Sequence, residues 1–413
     1  MTTASPTSRA ELASFVPVIL CCLAAVCEGF DLQAPGVTAP VLRTVFGLTP
    51  QQTGLFVSMS TFGMMLGALL GGGLSDRIGR KWVLVGSIAT FSALSVITAF
   101  STSAEMLFWT RFATGIGLGG ALPNLVAISV ESVAQERRST AVGLMLAGPP
   151  VGGALASLLA ATAANPDQWT LIYYAGGIVP LVLVVPLLVA FLPNRRPAAD
   201  VDPGRTSPSN VVAVLFGEQR AFRTVAVWLG LFSILLVLFV LLGWLPTLMV
   251  DRGLARSQAS LVQMIFNLSS IPGSVLSGLA LDFVLRRRMF SVLGAVFVAA
   301  IGSVLLLAYG PANLGAMLVA GALAGITVIG GQTAIYALAP RCYPRSGRGT
   351  GMGFGVAIGR FGSAGGPLFT GYLVALGLTS TQVLMTLLPI GALAGVAALF
   401  IAASLRDVAQ ELT

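Results

Sequence analysis

Residues 72–81, with the sequence GGLSDRIGRK, join two long apolar segments and show how the chain is organised. A weaker copy of this stretch, GLALDFVLRR, occupies residues 278–287. A second pair of similar stretches has nearly the same offset: RSTAVG at residues 138–143 resembles RGTGMG at residues 348–353. Two repeats at nearly the same offset predict that the chain is built from two related halves in parallel.

The composition is that of an integral membrane protein. Of the 413 residues, 56% are hydrophobic and only 9% are charged, whereas about a quarter of the residues in a soluble domain are charged. Twelve apolar runs are long enough to cross about 30 Å of hydrocarbon. They are centred near residues 25, 63, 92, 117, 151, 181, 236, 269, 299, 326, 362 and 393. We therefore predict an all-α membrane fold with twelve transmembrane helices in two six-helix, pseudo-symmetric halves.

The longest polar interruption separates six apolar runs from the other six. It begins at Pro193 and is rich in Pro, Ser and Arg, which is typical of a linker. We predict an N-terminal six-helix half over residues 1–192, a cytoplasmic linker over 193–222 and a C-terminal six-helix half over 223–413.

The positions of the cations predict the orientation. With the amino terminus in the cytoplasm, 18 of the 23 Lys and Arg residues fall in cytoplasmic loops, as expected for a multi-pass protein. An even number of spans then places both termini in the cytoplasm. The net charge of +8 is explained by this topology, so nucleic acid is not an expected partner.

Two carboxylates, Glu28 and Asp31, lie inside the first apolar run. An acid near the middle of the bilayer costs roughly 2.5–3.5 kcal/mol on insertion scales, so it is rarely retained without a function. Arg111, in the fourth run, cannot lose its proton and needs an anion at that depth. The sequence has no histidine, so we predict that proton coupling uses Glu28 or Asp31, which would alternate between a desolvated, protonated state and a state paired with Arg111. A static structural ion pair is the alternative.

Arg360, in the sequence AIGRFG at residues 357–362, is the one cation well inside the apolar runs of the second half. No acid of that half lies at comparable depth, so an organic anion is its predicted partner. The alternative is an arginine bonded to backbone carbonyls or to an acid of the first half. Other candidates for the substrate cavity, each of which could instead form interhelical hydrogen bonds, are Asn124, Trp244, Asn267, Gln332 and Tyr336.

The stretch at residues 72–81 resembles the signature between the second and third spans of the major facilitator superfamily. Its glycines permit a tight turn, Asp76 can cap a neighbouring helix, and Arg80 can pair with an acid such as Glu131. We predict that these residues, with Asp282 and Arg348 at the related positions of the second half, latch one conformation of a transporter. A loop that is merely basic is the alternative.

The run EGFDLQAPG at residues 28–36 resembles the first-span motif Asp-Gly-x-Asp of the aromatic acid:proton symporter family, with Glu28 in place of the first Asp. This substitution is similar to that of the 3-(3-hydroxyphenyl)propionate transporters in the family. Further agreement lies in GGALPNL at residues 119–125, GGQTAIYALAP at 330–340 and GRFG at 359–362.

This resemblance implies import of a small aromatic carboxylate together with a proton, across the inner membrane of a bacterium. The proton gradient would drive the transport without a cofactor, and the carrier would work as a monomer in the lipid bilayer. By position, Glu28 and Asp31 match the acid motif, Arg111 matches the fourth-span arginine, and Asp76 matches the loop aspartate. Arg348 and Arg360 match the arginines of the eleventh helix.

Other functions are less well supported by the sequence. The string GPPVGG at residues 148–153 resembles a pattern of proton-coupled drug exporters in the same superfamily, so export of drugs or organic anions is the second hypothesis. An enzyme is disfavoured because the chain has no histidine and no clustered carboxylates beyond the first-span pair. The four cysteines have no metal-ligand spacing, so no metal site is expected.

Overall fold

The computed structural model describes residues 6–163, 165–192, 211–217, 220–283, 288–344 and 347–410. Fifteen α-helices follow one another in these residues. They are α1 (Pro6–Val45), α2 (Pro50–Ile78), α3 (Arg80–Ala99), α4 (Ala104–Glu131), α5 (Arg138–Leu146), α6 (Gly148–Thr162), α7 (Trp169–Val179), α8 (Val185–Phe191), α9 (Val211–Phe216), α10 (Ala221–Asp251), α11 (Arg256–Phe283), α12 (Met289–Tyr309), α13 (Leu314–Leu338), α14 (Arg348–Ala375) and α15 (Ser380–Gln410).

Eleven of the predicted spans correspond to helical segments that are long and apolar enough to cross a membrane. The remaining predicted span, centred near residue 362, corresponds to α14. This helix has 28 residues, which is long enough to cross a bilayer. Nine of its residues are glycine, and they lower its mean hydropathy.

Two of the spans contain an interruption that the apolar pattern did not predict. The fifth span consists of α5 and α6, with Ala147 between them. The sixth consists of α7 and α8, joined by a π-helical turn at Pro180–Val184. After each break a proline lies in the first turn of the next helix, α6 or α8, where its missing N–H group costs least.

The chain divides into two compact units. Unit 1 comprises Met1–Leu48 and Met59–Ala199, and unit 2 comprises Thr49–Ser58 and Asp200–Thr413. The first turns of α2 therefore belong with unit 2, which the repeat did not indicate. Most of the predicted linker, residues 193–210 and 218–219, lies outside the described residues, so the predicted boundaries of the halves stay a prediction. The described part of the linker includes the short helix α9.

In unit 1, α1 packs closely against α6, and α3 packs closely against α4. A Cβ atom on Gly152 would overlap the carbonyl oxygen of Val26 and the backbone nitrogen of Phe30, and one on Gly29 would overlap the backbone of Pro149. Such small-residue contacts let transmembrane helices approach closely. The GPPVGG string at residues 148–153 thus has a packing role against the helix that carries Glu28 and Asp31.

Unit 2 packs α10 at its centre, against α14 and α15. Trp244 and Leu241 of α10 are fully buried in its apolar core. A Cβ atom on Gly362 would overlap the backbone of Phe232, and Gly359 lies against Leu235. These two glycines set the stretch of α14 around Arg360 close to α10.

Candidate functional site

A buried ion pair joins α1 to α4 in unit 1. Nη2 of Arg111 lies 3.0 Å from Oδ2 of Asp31, and both side chains are 0% exposed. The same Nη2 donates to the backbone oxygen of Asp31 at 2.9 Å, and Nη1 donates to Oδ1 at 3.3 Å. The structure therefore brings together Asp31 and Arg111, as the sequence predicted, in a two-pronged arrangement that suits a guanidinium.

Hydroxyl groups of two further helices complete the surroundings of the pair. Ser95 of α3 donates a hydrogen bond of 2.5 Å to Oδ1 of Asp31. Nε of Arg111 donates to Oγ of Ser60 on α2 at 3.1 Å. Both charged groups thus accept hydrogen bonds from protein groups, or donate them, besides their contact with each other, which lowers the cost of burying them.

An aromatic ring covers the guanidinium. The ring centroid of Tyr173, on α7, lies 5.5 Å from Cζ of Arg111, within the range of a cation–π contact. The hydroxyl of Tyr173 is 2.9 Å from Oγ1 of Thr38, which anchors the ring to α1. The ion pair therefore lies in a closed compartment built from five helices: α1, α2, α3, α4 and α7.

Glu28 lies one helical turn before Asp31 on α1 and is only 3% exposed. The sequence placed both acids on one helix face at membrane depth. In the structure Asp31 is the carboxylate that contacts Arg111, while Glu28 is buried elsewhere along the same helix. A role for Glu28 in proton coupling stays a prediction.

Arg360 lies on α14 of unit 2 and is partly exposed. Among the described residues its side chain forms no ion pair. Its charge acts on the phenol of Tyr336, a residue of α13, which places the two groups within electrostatic range of each other. Gln332 is partly exposed one turn before Tyr336 on the same helix. We refer to Arg360, Tyr336 and Gln332 together as the candidate anion-binding cluster of unit 2, and their contact with substrate stays a prediction.

Asn124 and Trp244, two other predicted substrate contacts, are engaged in hydrogen bonds within their units. Asn124 accepts a hydrogen bond of 2.7 Å from Ser75 and donates one of 2.9 Å to the carbonyl of Gly120. Nε1 of Trp244 donates to the carbonyl of Pro367 at 3.1 Å, joining α10 to α14. These bonds favour the interhelical role that the sequence left open as the alternative, and substrate contact by either residue is untested.

The predicted latch residues lie at the ends of the spans. Gly79 is the one residue between α2 and α3, and its φ of 91° favours glycine. Arg80 and Glu131 form the ion pair suggested by the sequence. Arg348 is exposed at the start of α14. The side chains of Asp76 and Asp282 lie outside the described residues, so the latch as a whole stays a prediction.

A further contact that the sequence did not reveal fixes the same end of unit 1. Nζ of Lys81 donates to the carbonyl of Val189 in the last turn of α8, at 2.9 Å. A cation at a helix C-terminus satisfies an otherwise unpaired carbonyl and complements the helix dipole. The basic stretch at residues 72–81 is therefore tied both to α4, through Arg80, and to α8.

Two ionisable groups outside the spans, Tyr343 and Arg252, have shifted pKa values. Burial raises the pKa of the Tyr343 phenol above its ordinary value. Partial burial lowers the pKa of Arg252, yet an arginine keeps its charge in a protein. Arg252 donates to the carbonyls of Leu307 and Gly310 at the end of α12, so its role is structural. No group of three potential metal ligands occurs among the residues that the structure describes.

Sequence reasoning missed Ser60, Ser95 and Tyr173. A hydroxyl group in an apolar run is common and costs little, so it does not stand out as a buried carboxylate does. Only the crossing of α2, α3 and α7 at the Asp31–Arg111 pair distinguishes these residues from the other polar residues of the spans.

A helical membrane fold in two repeated units, with an acid and an arginine paired at membrane depth, is typical of secondary transporters. The chain matches the model of the Major Facilitator Superfamily over residues 21–255 and 227–411, and it belongs to this superfamily. The fold class and the family that the sequence predicted are thereby confirmed.

Proteins related to this chain over nearly all of its length are named as transporters of aromatic acids. The 3-(3-hydroxy-phenyl)propionate transporter of Escherichia coli (strain K12) is 39% identical, and the match covers 98% of each chain. The gallate transporter of Pseudomonas putida is 33% identical, with 92% of this chain and 90% of that protein covered. These relatives confirm the resemblance to aromatic acid transporters.

Solved structures confirm the fold. The crystal structure of a D-xylose-proton symporter matches with a TM-score of 0.74 and 20% identity, covering 94% of this chain and 97% of that one. A bacterial homologue of the human lysosomal transporter Spinster, in an inward-facing and unoccupied conformation, matches with a TM-score of 0.76 and 17% identity, covering 98% and 99%. At these identities the likeness concerns the fold alone.

Proposed function

We propose that this protein is a proton-coupled symporter that imports a small aromatic carboxylate, of the phenylpropionate or hydroxybenzoate type, across the bacterial cytoplasmic membrane. The observation that carries the proposal is the fully buried Asp31–Arg111 pair. The names of the proteins related to this chain refer to hydroxyphenylpropionate, gallate and 4-hydroxybenzoate, and they support the substrate class.

The chemistry of unit 1 suits proton coupling. Arg111 remains charged, so it stabilises Asp31 as an anion while the two groups are in contact. When a conformational change separates them, a desolvated carboxylate at that depth takes up a proton. Asp31 would thus load a proton on one side of the membrane and release it when the contact with Arg111 re-forms.

The chemistry of unit 2 suits the substrate. Arg360 forms no ion pair among the described residues, and a guanidinium binds a carboxylate through two parallel hydrogen bonds. Tyr336 on α13 lies within electrostatic range of it, and Tyr336 and Gln332 would add polar contacts to the substrate. The aromatic ring of the substrate would occupy apolar surface beside this cluster.

The remaining parts of the proposal follow from topology. Both termini would lie in the cytoplasm, the proton gradient would replace any cofactor, and the carrier would act as a monomer without catalytic chemistry. Export is not proposed, because packing of α6 against α1 accounts for the glycine-proline string that suggested it.

Uptake into proteoliposomes tests the proposal. With the outside acidic, labelled 3-phenylpropionate should accumulate inside above its external concentration, and an ionophore that collapses the gradient should abolish the accumulation. Efflux driven by the same gradient would instead indicate an exporter. Chemical change of the label would indicate an enzyme.

A further inference from the structure

The carboxylate of Asp31 receives hydrogen bonds from two kinds of donor. Arg111 contacts both carboxylate oxygens, at 3.0 Å and 3.3 Å. Ser95 contacts only Oδ1, at 2.5 Å, and reaches it from α3 rather than from α4. The two donors therefore reach the carboxylate from different helices.

The two donors also differ in what they can do once Asp31 is protonated. A guanidinium only donates hydrogen bonds, so it has no favourable contact with the new O–H group. A serine hydroxyl donates and accepts, so a rotation about its C–O bond turns Ser95 from a donor to the carboxylate into an acceptor from the carboxylic acid. Ser95 can therefore satisfy Oδ1 in both protonation states without a movement of the backbone.

We propose that Ser95 is a positioning residue for proton coupling, which holds Oδ1 of Asp31 in both protonation states and sets the pH at which the carboxyl group loads its proton. The inference rests on the proposed function, because it assumes that Asp31 is the group that carries the proton. It assigns the serine no direct contact with substrate.

Several side chains besides Ser95 lie around Asp31. Among the described residues, the charged and titratable side chains that interact with it are Arg111 on α4, Tyr173 on α7 and Cys27 on α1, and Glu28 is buried one turn before it on α1. The neighbouring helix α6 carries no ionisable side chain. Among the described residues, Ser95 is thus the side-chain hydroxyl that contacts the acid, whereas Ser60 contacts the arginine.

The direction of the effect follows from the strength of the bonds. A hydrogen bond to a charged group is stronger than one between neutral groups. Removing the Ser95 hydroxyl therefore destabilises the anionic form of Asp31 more than the protonated form. The measurement is the midpoint pH, the external pH at which the initial uptake rate is half of its maximum, at fixed internal pH. In Ser95→Ala this midpoint should move upward by roughly half to one pH unit.

Ser92 provides the matched control. It lies on α3 one turn before Ser95, is fully buried, and its hydroxyl has no hydrogen-bond partner among the described residues. Ser92→Ala removes the same atom from the same helix and should leave the midpoint at the wild-type value. Ser95→Cys keeps a weaker donor of similar size, so its midpoint should fall between those of Ser95→Ala and the wild type.

The outcomes separate the inference from the proposed function. A wild-type midpoint in Ser95→Ala, or an equal shift in Ser92→Ala, would overturn the inference while the carrier remains proton-driven. If Ser95→Ala does not reach the membrane folded, the midpoint of Ser95→Cys decides, and an unshifted value overturns the inference. If the wild-type carrier shows no pH-driven uptake at all, the proposed function itself has failed.

Discussion

Arg111 and Arg360 are both arginines at membrane depth, but their surroundings differ. Arg111 is 0% exposed, and its guanidinium contacts Asp31, Ser60 and the ring of Tyr173. Arg360 is partly exposed and makes no ion pair within the part of the chain that the structure describes. The first side chain has the contacts of a group that is neutralised internally, and the second has those of a group available to an external anion.

Replacement of Arg360 should weaken substrate binding. Arg360→Gln removes a bidentate, charge-assisted contact worth about 1.5–3 kcal/mol, so the Km for an aromatic carboxylate should rise roughly 10- to 100-fold. Arg360→Lys keeps the charge without the planar fork and should give an intermediate Km. The measurement is the initial rate of uptake over a range of substrate concentrations, with the exposed Arg341→Gln as control. A Km equal to that of the wild type in Arg360→Gln would remove this residue from the substrate site.

The site residues that could be identified from the sequence are those whose charge has a high free-energy cost inside a membrane. Asp31 and Arg111 stand out because a charge in an apolar run needs a partner, and the structure pairs them. Ser95 and Tyr173 do not stand out, since their significance depends on which helices cross at the ion pair. Asn124 stood out as polar, but its amide bonds Ser75 and the backbone of Gly120, a pairing that no spacing along the chain reveals.

At the scale of single helices, α6 determines where the acid-bearing part of α1 lies. Gly152 is so close to α1 that a Cβ atom there would overlap the backbone at Val26 and Phe30. Gly152→Ala should therefore push the two helices apart and destabilise the protein by about 1–3 kcal/mol, the usual cost of overpacking. We expect a lower thermal midpoint in detergent and a lower uptake rate.

Gly143 on α5 provides the comparison, because a Cβ atom there would meet nothing within 4 Å. Gly143→Ala should keep both properties or raise the thermal midpoint slightly, since alanine is the better helix former. Equal thermal midpoints for the two alanine variants would show that the α1–α6 contact is not as tight as described.

The helices themselves were largely predictable from hydropathy, because a bilayer demands runs of about 20 apolar residues. The interruptions within the fifth and sixth spans could not be predicted from hydropathy. The break at Ala147 and the π-helical turn at Pro180–Val184 lie inside runs that remain apolar throughout, so hydropathy does not register them. The helix α9 was assigned to a linker because its neighbours are polar and rich in proline.

At the scale of the whole molecule, the two repeated units share a fold but carry different chemistry. The buried acids and Arg111 belong to unit 1, while Arg360, Tyr336 and Gln332 belong to unit 2. The repeats at residues 72–81 and 278–287 predicted the duplication, but the duplication does not extend to the charged residues of the spans. With the proposed roles of these residues, proton coupling and substrate binding should therefore respond to separate substitutions.

Neutralising Asp31 should uncouple the carrier without removing its substrate site. Asp31→Asn resembles the protonated acid permanently, so uphill accumulation under a proton gradient should be lost. Exchange of labelled for unlabelled substrate at equal concentrations needs no net proton movement and should persist, with a Km near that of the wild type because Arg360 is unchanged. The exposed Asp167→Asn is the control and should keep both activities.

A complication is that Asp31→Asn leaves the Arg111 charge buried without its acid, which is typically destabilising by about 3–5 kcal/mol. The double variant Asp31→Asn with Arg111→Gln removes both charges and should restore a stable fold that exchanges substrate but does not accumulate it. Full uphill accumulation by either variant would show that Asp31 does not carry the proton. Loss of exchange in the stably folded double variant would show instead that the ion pair itself is needed for the conformational change, so that coupling and movement reside in the same contact.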